Sequence, residues 1–202
     1  MVPQARSRRR MSAEDRREQI LDITHAIVDA EGFHAATLNR IAAEAGVTRT
    51  VVYQQFGDLT GLFIALVDRE AARAGAQFAE AITASPEPSE EDGAFGHAFA
   101  GVLRAVDANP ATWRLFLFPP QGAPPELHER LAQAQVIVRR YFTSVLLRIN
   151  PDIRDPEYTA RIFNAAGDEL LRLRLSDPQA ATHERLLAHV RWLTPGLLRQ
   201  TS

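Results

Sequence analysis

Gly32, Gly46 and Gly57 each close a stretch of helical periodicity, and together they commit the start of the chain to short helices joined by tight turns. In the first stretch, Glu14 to Glu31, the residues Ile20, Ile23, Ile27 and Ala30 recur three or four apart and predict one buried face. Thr37 can cap a second helix from Leu38 to about Ala45, with Ile41 and Ala42 turned inward. The third stretch poses a conflict. Val47 to Tyr53 is rich in β-branched residues and favours a strand by propensity, yet apolar and polar residues do not strictly alternate. Thr48 follows the glycine break where a helix cap belongs, so context outweighs propensity and predicts a short helix from Arg49 to about Gln54.

Asp58 then caps a longer helix through Leu62, Phe63, Leu66, Val67, Phe78 and Ile82 toward Ala84, before Pro86 and Pro88 break the chain. Five further helical patterns follow, Ser89–Ala108, Pro110–Phe118, Pro124–Ile149, Pro156–Leu175 and Pro178–Leu193. Asn109–Pro110, Asp155–Pro156 and Asp177–Pro178 each set a capping residue before a proline, the pairing that opens a helix. The expected fold is all-α with about nine helices. A domain of residues 1–57 is expected to precede a helical bundle of residues 58–202.

Composition excludes several chemistries. The 202 residues are 46% hydrophobic and 24% charged, so the chain can bury a core. No cysteine is present, which removes disulfides, thiolate metal sites and thiol nucleophiles. All 23 basic residues are arginine, so there is no Schiff-base lysine and no P-loop lysine. A coding bias explains this most simply; its physical consequence is that every cation is a planar fork suited to phosphate or guanine. The six histidines form no HExxH or other close metal spacing, and neither a GxSxG elbow nor a glycine-rich phosphate loop occurs. Neither an enzyme nor a bound metal or cofactor is expected. No run of about 18 apolar residues spans a membrane, and the basic start lacks the apolar segment of a secretory signal, so the expected location is cytoplasmic.

Two helices linked by Ala45–Gly46–Val47 form a helix-turn-helix pattern, whose second helix enters the major groove of double-stranded DNA. Arg49, Thr50 and Gln54 would supply its exposed face, while Val51 and Val52 hold it to its neighbours. Thr48 can cap that helix or donate to a phosphate, and Tyr53 is either a core aromatic or a hydroxyl that reaches a phosphate. The net charge of −2 would not suggest nucleic acid, but Arg6, Arg8, Arg9 and Arg10 concentrate basic charge ahead of the first helix. Arg9 and Arg10 are the candidate DNA contacts there; Met11 offers a second possible start, from which that arm would be missing.

These residues resemble the DNA-binding domain of the TetR family of transcriptional regulators. The resemblance runs from Ile20–Leu21 through Gly32, Phe33 and Thr37 to Leu62, with I-A-x-x-A-G-V-T-x-x-x-V-Y-x-x-F ungapped over residues 41–56. It covers roughly a quarter of the chain. It implies that Thr37 meets a phosphate, that Arg49, Thr50 and Gln54 read the groove, and that Tyr53 anchors on the backbone. One departure stands out: the family's usual lysine near the start of the fourth helix is here Leu59, followed by Thr60 and Gly61.

In the remainder, Phe95, Phe99, Trp113, Phe116, Tyr141 and Phe142 are either packed core or the lining of a small-molecule cavity, with His97, His128 and Gln133 as polar candidates. The resemblance favours the cavity, since the family's C-terminal domains commonly bind inducers, whose chemistry here is unknown. Tyr158, Ile162, Phe163, Ala166, Leu170 and Leu173 stripe one of the last two helices, and Leu186, Leu187, Val190 and Leu193 the other. Such a pair either packs inside the single chain or forms a four-helix interface between two copies, and the resemblance implies the homodimer. The expected function is a repressor released from a palindromic operator by a ligand. The alternative is a helical small-molecule-binding or interaction protein that keeps the helix-turn-helix as scaffold.

Overall fold

The computed structural model describes residues 11–83, 93–118, 122–123 and 125–198, and every regular element among them is a helix. The elements are α1 (Ala13–Glu31), α2 (Leu38–Glu44), α3 (Arg49–Phe56), α4 (Leu59–Thr83), α5 (Gly93–Ala108), α6 (Pro110–Leu117), α7 (Pro125–Ile149), α8 (Pro156–Ser176) and α9 (His183–Leu198). A single 3-10 turn, Phe33–Ala35, joins α1 to α2. The all-α architecture anticipated from the sequence is therefore observed. No single described helix is long and apolar enough to cross a membrane.

The chain divides into two units, Met1–Leu66 and Val67–Ser202. The division falls inside α4, beyond the Gly57–Asp58 break that marks the expected boundary, because the first turns of α4 belong to the first core. Leu62 and Leu66 are fully buried there, and the Phe63 ring meets Phe33 edge-on at 4.9 Å. In the first unit α1 packs on α2 and α2 on α3. Ser12 closes a capping box on α1: its side chain accepts from the Asp15 amide at 3.0 Å while the Asp15 carboxylate accepts from the Ser12 amide. The buried face of α1 is Ile20, Leu21, Thr24, His25, Ile27 and Val28, whereas Ala30 faces water and Ile23 is half-buried. The buried face is centred about one position later than the expected one, taking in Leu21 and Val28 as well as the polar Thr24 and His25. Thr24 can be buried because its hydroxyl donates to the Ile20 carbonyl at 2.7 Å.

In the second unit α5 packs on α6, α8 and α9, and α8 packs on α6 and α7. One core joins Leu103, Val106, Trp113, Leu171 and Leu186; a second joins Phe95, Leu146, Ile153, Ala160 and Phe163. Glu70, fully buried on α4, accepts from Thr112 Oγ1 at 2.6 Å and from Arg69 and Arg73 at 2.9 and 3.0 Å. A buried carboxylate persists only when paired and hydrogen-bonded in this way. On α5, Asp107 receives two hydrogen bonds from Arg174 of α8, at 2.7 and 2.8 Å, and lies 2.8 Å from His183 Nε2 of α9. The Arg174 guanidinium holds the Asp107 carboxyl below its usual range.

One expected helix start is overturned. Asp177 ends α8, and its side chain accepts from the Gln179 and Ala180 amides at 3.1 and 2.9 Å, so residues 178–180 form a turn. The last helix begins at His183 instead, where Thr182 Oγ1 accepts from the Arg185 amide. Asx side chains serve turns as readily as caps. At the other end α9 continues through Pro195 to Leu198, past the expected stop at Leu193.

Candidate functional site

The turn between α2 and α3 is built by the chain's own hydrogen bonds. The Val47 amide donates to the Ala42 carbonyl at 2.9 Å and the Gly46 amide to the Ala43 carbonyl at 3.2 Å. This pair is the Schellman arrangement, and its left-handed position is Gly46, with φ at 63°. Thr37 caps α2 by accepting from the Arg40 amide at 3.3 Å. Thr48 stands at the N-cap of α3 and makes no side-chain cap bond, which leaves its hydroxyl available to a partner. The first-turn amides of α3 point the same way, toward the place where an anion is best received.

Helix α3 is short and two-faced. Val52 and Phe56 are buried, while Arg49, Thr50, Tyr53 and Gln54 all face water, as do Thr37 and Thr48. Tyr53 is 41% exposed, which settles its placement on the outer side rather than in the core. The Arg49 guanidinium lies 5.9 Å from the Tyr53 ring centroid and donates to its hydroxyl at 3.4 Å. Such a contact orients the guanidinium without neutralising it. Other cations of this unit are committed elsewhere. Arg40 is forked onto Glu31 at 2.6 and 2.9 Å and reaches Glu44 at 2.8 Å, and the Glu31 carboxyl is held below its usual range by that bond. Arg17 donates to the Gln55 carbonyl at 2.7 Å and covers the Phe56 ring at 4.3 Å, fastening α1 to the end of α3. The candidate contacts Arg9 and Arg10 lie outside the described residues.

In the second unit Phe95, Phe99, Trp113, Phe116, Tyr141 and Phe142 all line one cavity of about 600 Å³. Core and lining are thus not alternatives: the Phe95 ring is stacked on Phe163 at 4.7 Å and still faces the cavity. Of the polar candidates Gln133 lines it, while His97 and His128 are not among the lining residues. Asn164, Asp168 and Thr194 are polar lining residues that the aromatic pattern did not single out. Asn164 and Asp168 are on α8 and Thr194 on α9.

The outer face of that helix pair differs in part from expectation. Tyr158 and Ile162 are 66% and 45% exposed, as an interface between copies requires. Phe163 and Leu186 are core residues, at 9% and 4%, so their apolarity serves the single chain. Ala166, Leu170 and Val190 are half-buried and line the cavity. Leu173, part of the expected stripe, faces outward at 47% exposure, and Trp192, outside that stripe, joins the outward apolar set at 74%. Trp192 follows Arg191 on α9 and lies off the leucine stripe that the sequence pattern singles out.

Residues 20–66 match the family described as bacterial regulatory proteins, tetR family. An HTH-type transcriptional activator, FasR of Mycolicibacterium smegmatis, is 35% identical over 60 residues, 30% of this chain. The match spans 27% of that relative's length. A TetR-like transcriptional regulator from a Rhodococcus species superposes with a TM-score of 0.72 at 21% identity, over 93% of this chain and 99% of that one. A transcriptional regulator from Pseudomonas aeruginosa gives 0.74 at 19% identity, over 95% and 94%. At these identities the structural likeness is one of fold. Residues 20–66 thus match the tetR family of bacterial regulatory proteins, and the fold is shared almost end to end with TetR-like regulators.

Proposed function

We propose that the protein is a cytoplasmic, dimeric regulator of transcription, a repressor that leaves a palindromic operator when a small molecule fills the cavity of the second unit. The observation that carries this is α3 itself. Its inner side is fixed by Val52 and Phe56, its outer side presents Arg49, Thr50 and Gln54, and Thr48 and Tyr53 flank them with hydroxyls. A short helix so mounted fits the major groove, with hydroxyls for phosphates and a fork for guanine. Selection of bound fragments from a genomic pool with the purified protein tests it: enrichment of a palindrome is expected, and no salt-sensitive binding to any fragment would leave the helical-carrier alternative.

Arg49→Ala is expected to cost about 1–3 kcal/mol on the selected site and to relax preference at one base pair. Tyr53→Phe removes only a hydroxyl and is expected to weaken all sequences alike. Competition titrations with single-base operator variants separate the two. Unchanged preference in the Arg49 variant would remove that residue from base reading.

Charge arithmetic assigns the arm a share of the affinity. Residues 11–66 hold four arginines against eight acidic residues, and one of the four, Arg40, is already paired twice. Phosphate neutralisation therefore falls to Arg6, Arg8, Arg9 and Arg10. Removing residues 1–10 is expected to flatten the plot of log affinity against log salt by about one unit for each arginine that meets a phosphate. An unaltered slope would place the phosphate contacts elsewhere.

A further inference from the structure

Among the described residues, three charged ones line the cavity of the second unit, Asp68, Arg130 and Asp168. Two cancel. Arg130 donates to Asp68 at 2.9 Å, and both side chains are about half exposed, so this pair is screened by water. Asp168 is different. It is half-buried on α8, one turn beyond Asn164, whose Nδ2 donates to Asp168 Oδ2 at 3.3 Å. Oδ1 accepts no hydrogen bond among the described residues. Burial raises the Asp168 carboxyl above its ordinary range, and Arg172 and Arg139 pull it back toward the ionised form. Neither arginine lines the cavity. Arg172 is held by the Leu117 carbonyl at 2.6 Å and by Glu169 at 3.4 Å.

We propose that this cavity takes a drug-sized apolar ligand bearing one protonated amine, with Asp168 as its counter-ion and Asn164 holding the carboxylate in place. The proposal rests on the effector reading given above. An apolar ligand that fills the space strips water from Asp168, and a carboxylate desolvated without a new donor is costly. An ammonium group returns a charge-assisted hydrogen bond at that point. The surrounding rings of Phe78, Phe95, Tyr141 and Phe142 offer faces that attract a cation and accept its alkyl body. An anionic head would meet Asp168, while Arg130, the one cation among the described lining residues, is already bound to Asp68.

Decylamine, decanol and decanoate share one alkyl chain and differ in the head group, which makes them a direct test at neutral pH. Trp113 lines the cavity, so quenching of tryptophan emission reports binding, with calorimetry as a second readout. Decylamine is expected to bind about tenfold or more tighter than decanol, the contribution of one charged hydrogen bond, and decanoate weakest. In Asp168→Asn the amine should lose that advantage while decanol keeps its affinity. Equal binding of all three to the unmodified protein, or a preference for decanoate, overturns the role of Asp168 and leaves the effector reading standing. Binding of none of them, with operator binding intact, overturns both.

Discussion

Ile162→Asp combined with Trp192→Asp is expected to give a folded monomer whose operator affinity is about 10²–10⁴-fold lower, the gain that a second tethered reading helix supplies. The argument starts from exposure. In the single chain these two side chains are 45% and 74% exposed, so aspartate at either position meets water and leaves the cores intact. Along α8 the outward positions Tyr158, Ile162, Ala165, Glu169 and Leu173 follow one another at three- and four-residue steps, and Trp192 stands outward on α9. Under the proposed dimer this stripe is the seam of a four-helix contact, where paired carboxylates would be desolvated and repel. A lone α3 then reads one half-site, since two half-sites about 34–36 Å apart need two copies. Sedimentation measures the association state and anisotropy the affinity. A double variant that remains dimeric places the seam elsewhere; one that is monomeric and binds undiminished removes the need for two copies. Leu186→Asp makes the contrast, because it buries a charge in the core and is expected to unfold the second unit.

Much of this arrangement was legible in the chain because its punctuation is strong. Gly46 needs a left-handed backbone, and a helix ending in that motif announces the turn before α3 whatever Val51 and Val52 prefer. That is why a branched segment could be read as helix, and α3 in fact runs on to Phe56. Periodicity served less well where a helix is wet on one side and lines a cavity on the other. On α8, Phe163 and Ile162 are neighbours in one apolar run, yet one stacks on Phe95 and the other faces outward. No spacing rule separates them, because both faces of α8 are apolar. Asp168 was hidden for the opposite reason: a carboxylate in a helix defaults to solvent, and only tertiary packing turns it toward a cavity. Asp177–Pro178 failed because an aspartate accepts from amides in a turn with the same chemistry that caps a helix.

Gly61 carries the second large effect, and it explains a departure from the family pattern. By propensity the first turn of α4 favours a residue other than glycine, yet a Cβ added to Gly61 would clash with the Phe56 carbonyl oxygen. The obstacle is backbone at the end of α3, so it cannot rotate away. Gly61→Ala is expected to destabilise the first unit by about 3 kcal/mol, the upper range for forcing an atom into a filled space, and to weaken operator binding with it. Gly101 faces a similar obstacle in the second unit. Its Cβ would meet the Ala81 carbonyl oxygen, Cβ and Cα at 2.7, 2.8 and 2.9 Å, where α5 crosses α4. Gly101→Ala is expected to cost about 1–3 kcal/mol. Gly75, in the exposed middle of α4, has nothing within 4 Å of an added Cβ. Gly75→Ala should therefore stabilise by up to about 1 kcal/mol, since alanine loses less backbone entropy in a helix. Urea midpoints at constant slope measure all three. Opposite signs for Gly61 and Gly75 on the same helix are the decisive outcome, because propensity alone would make both substitutions stabilising and only the close approach to Phe56 reverses one of them.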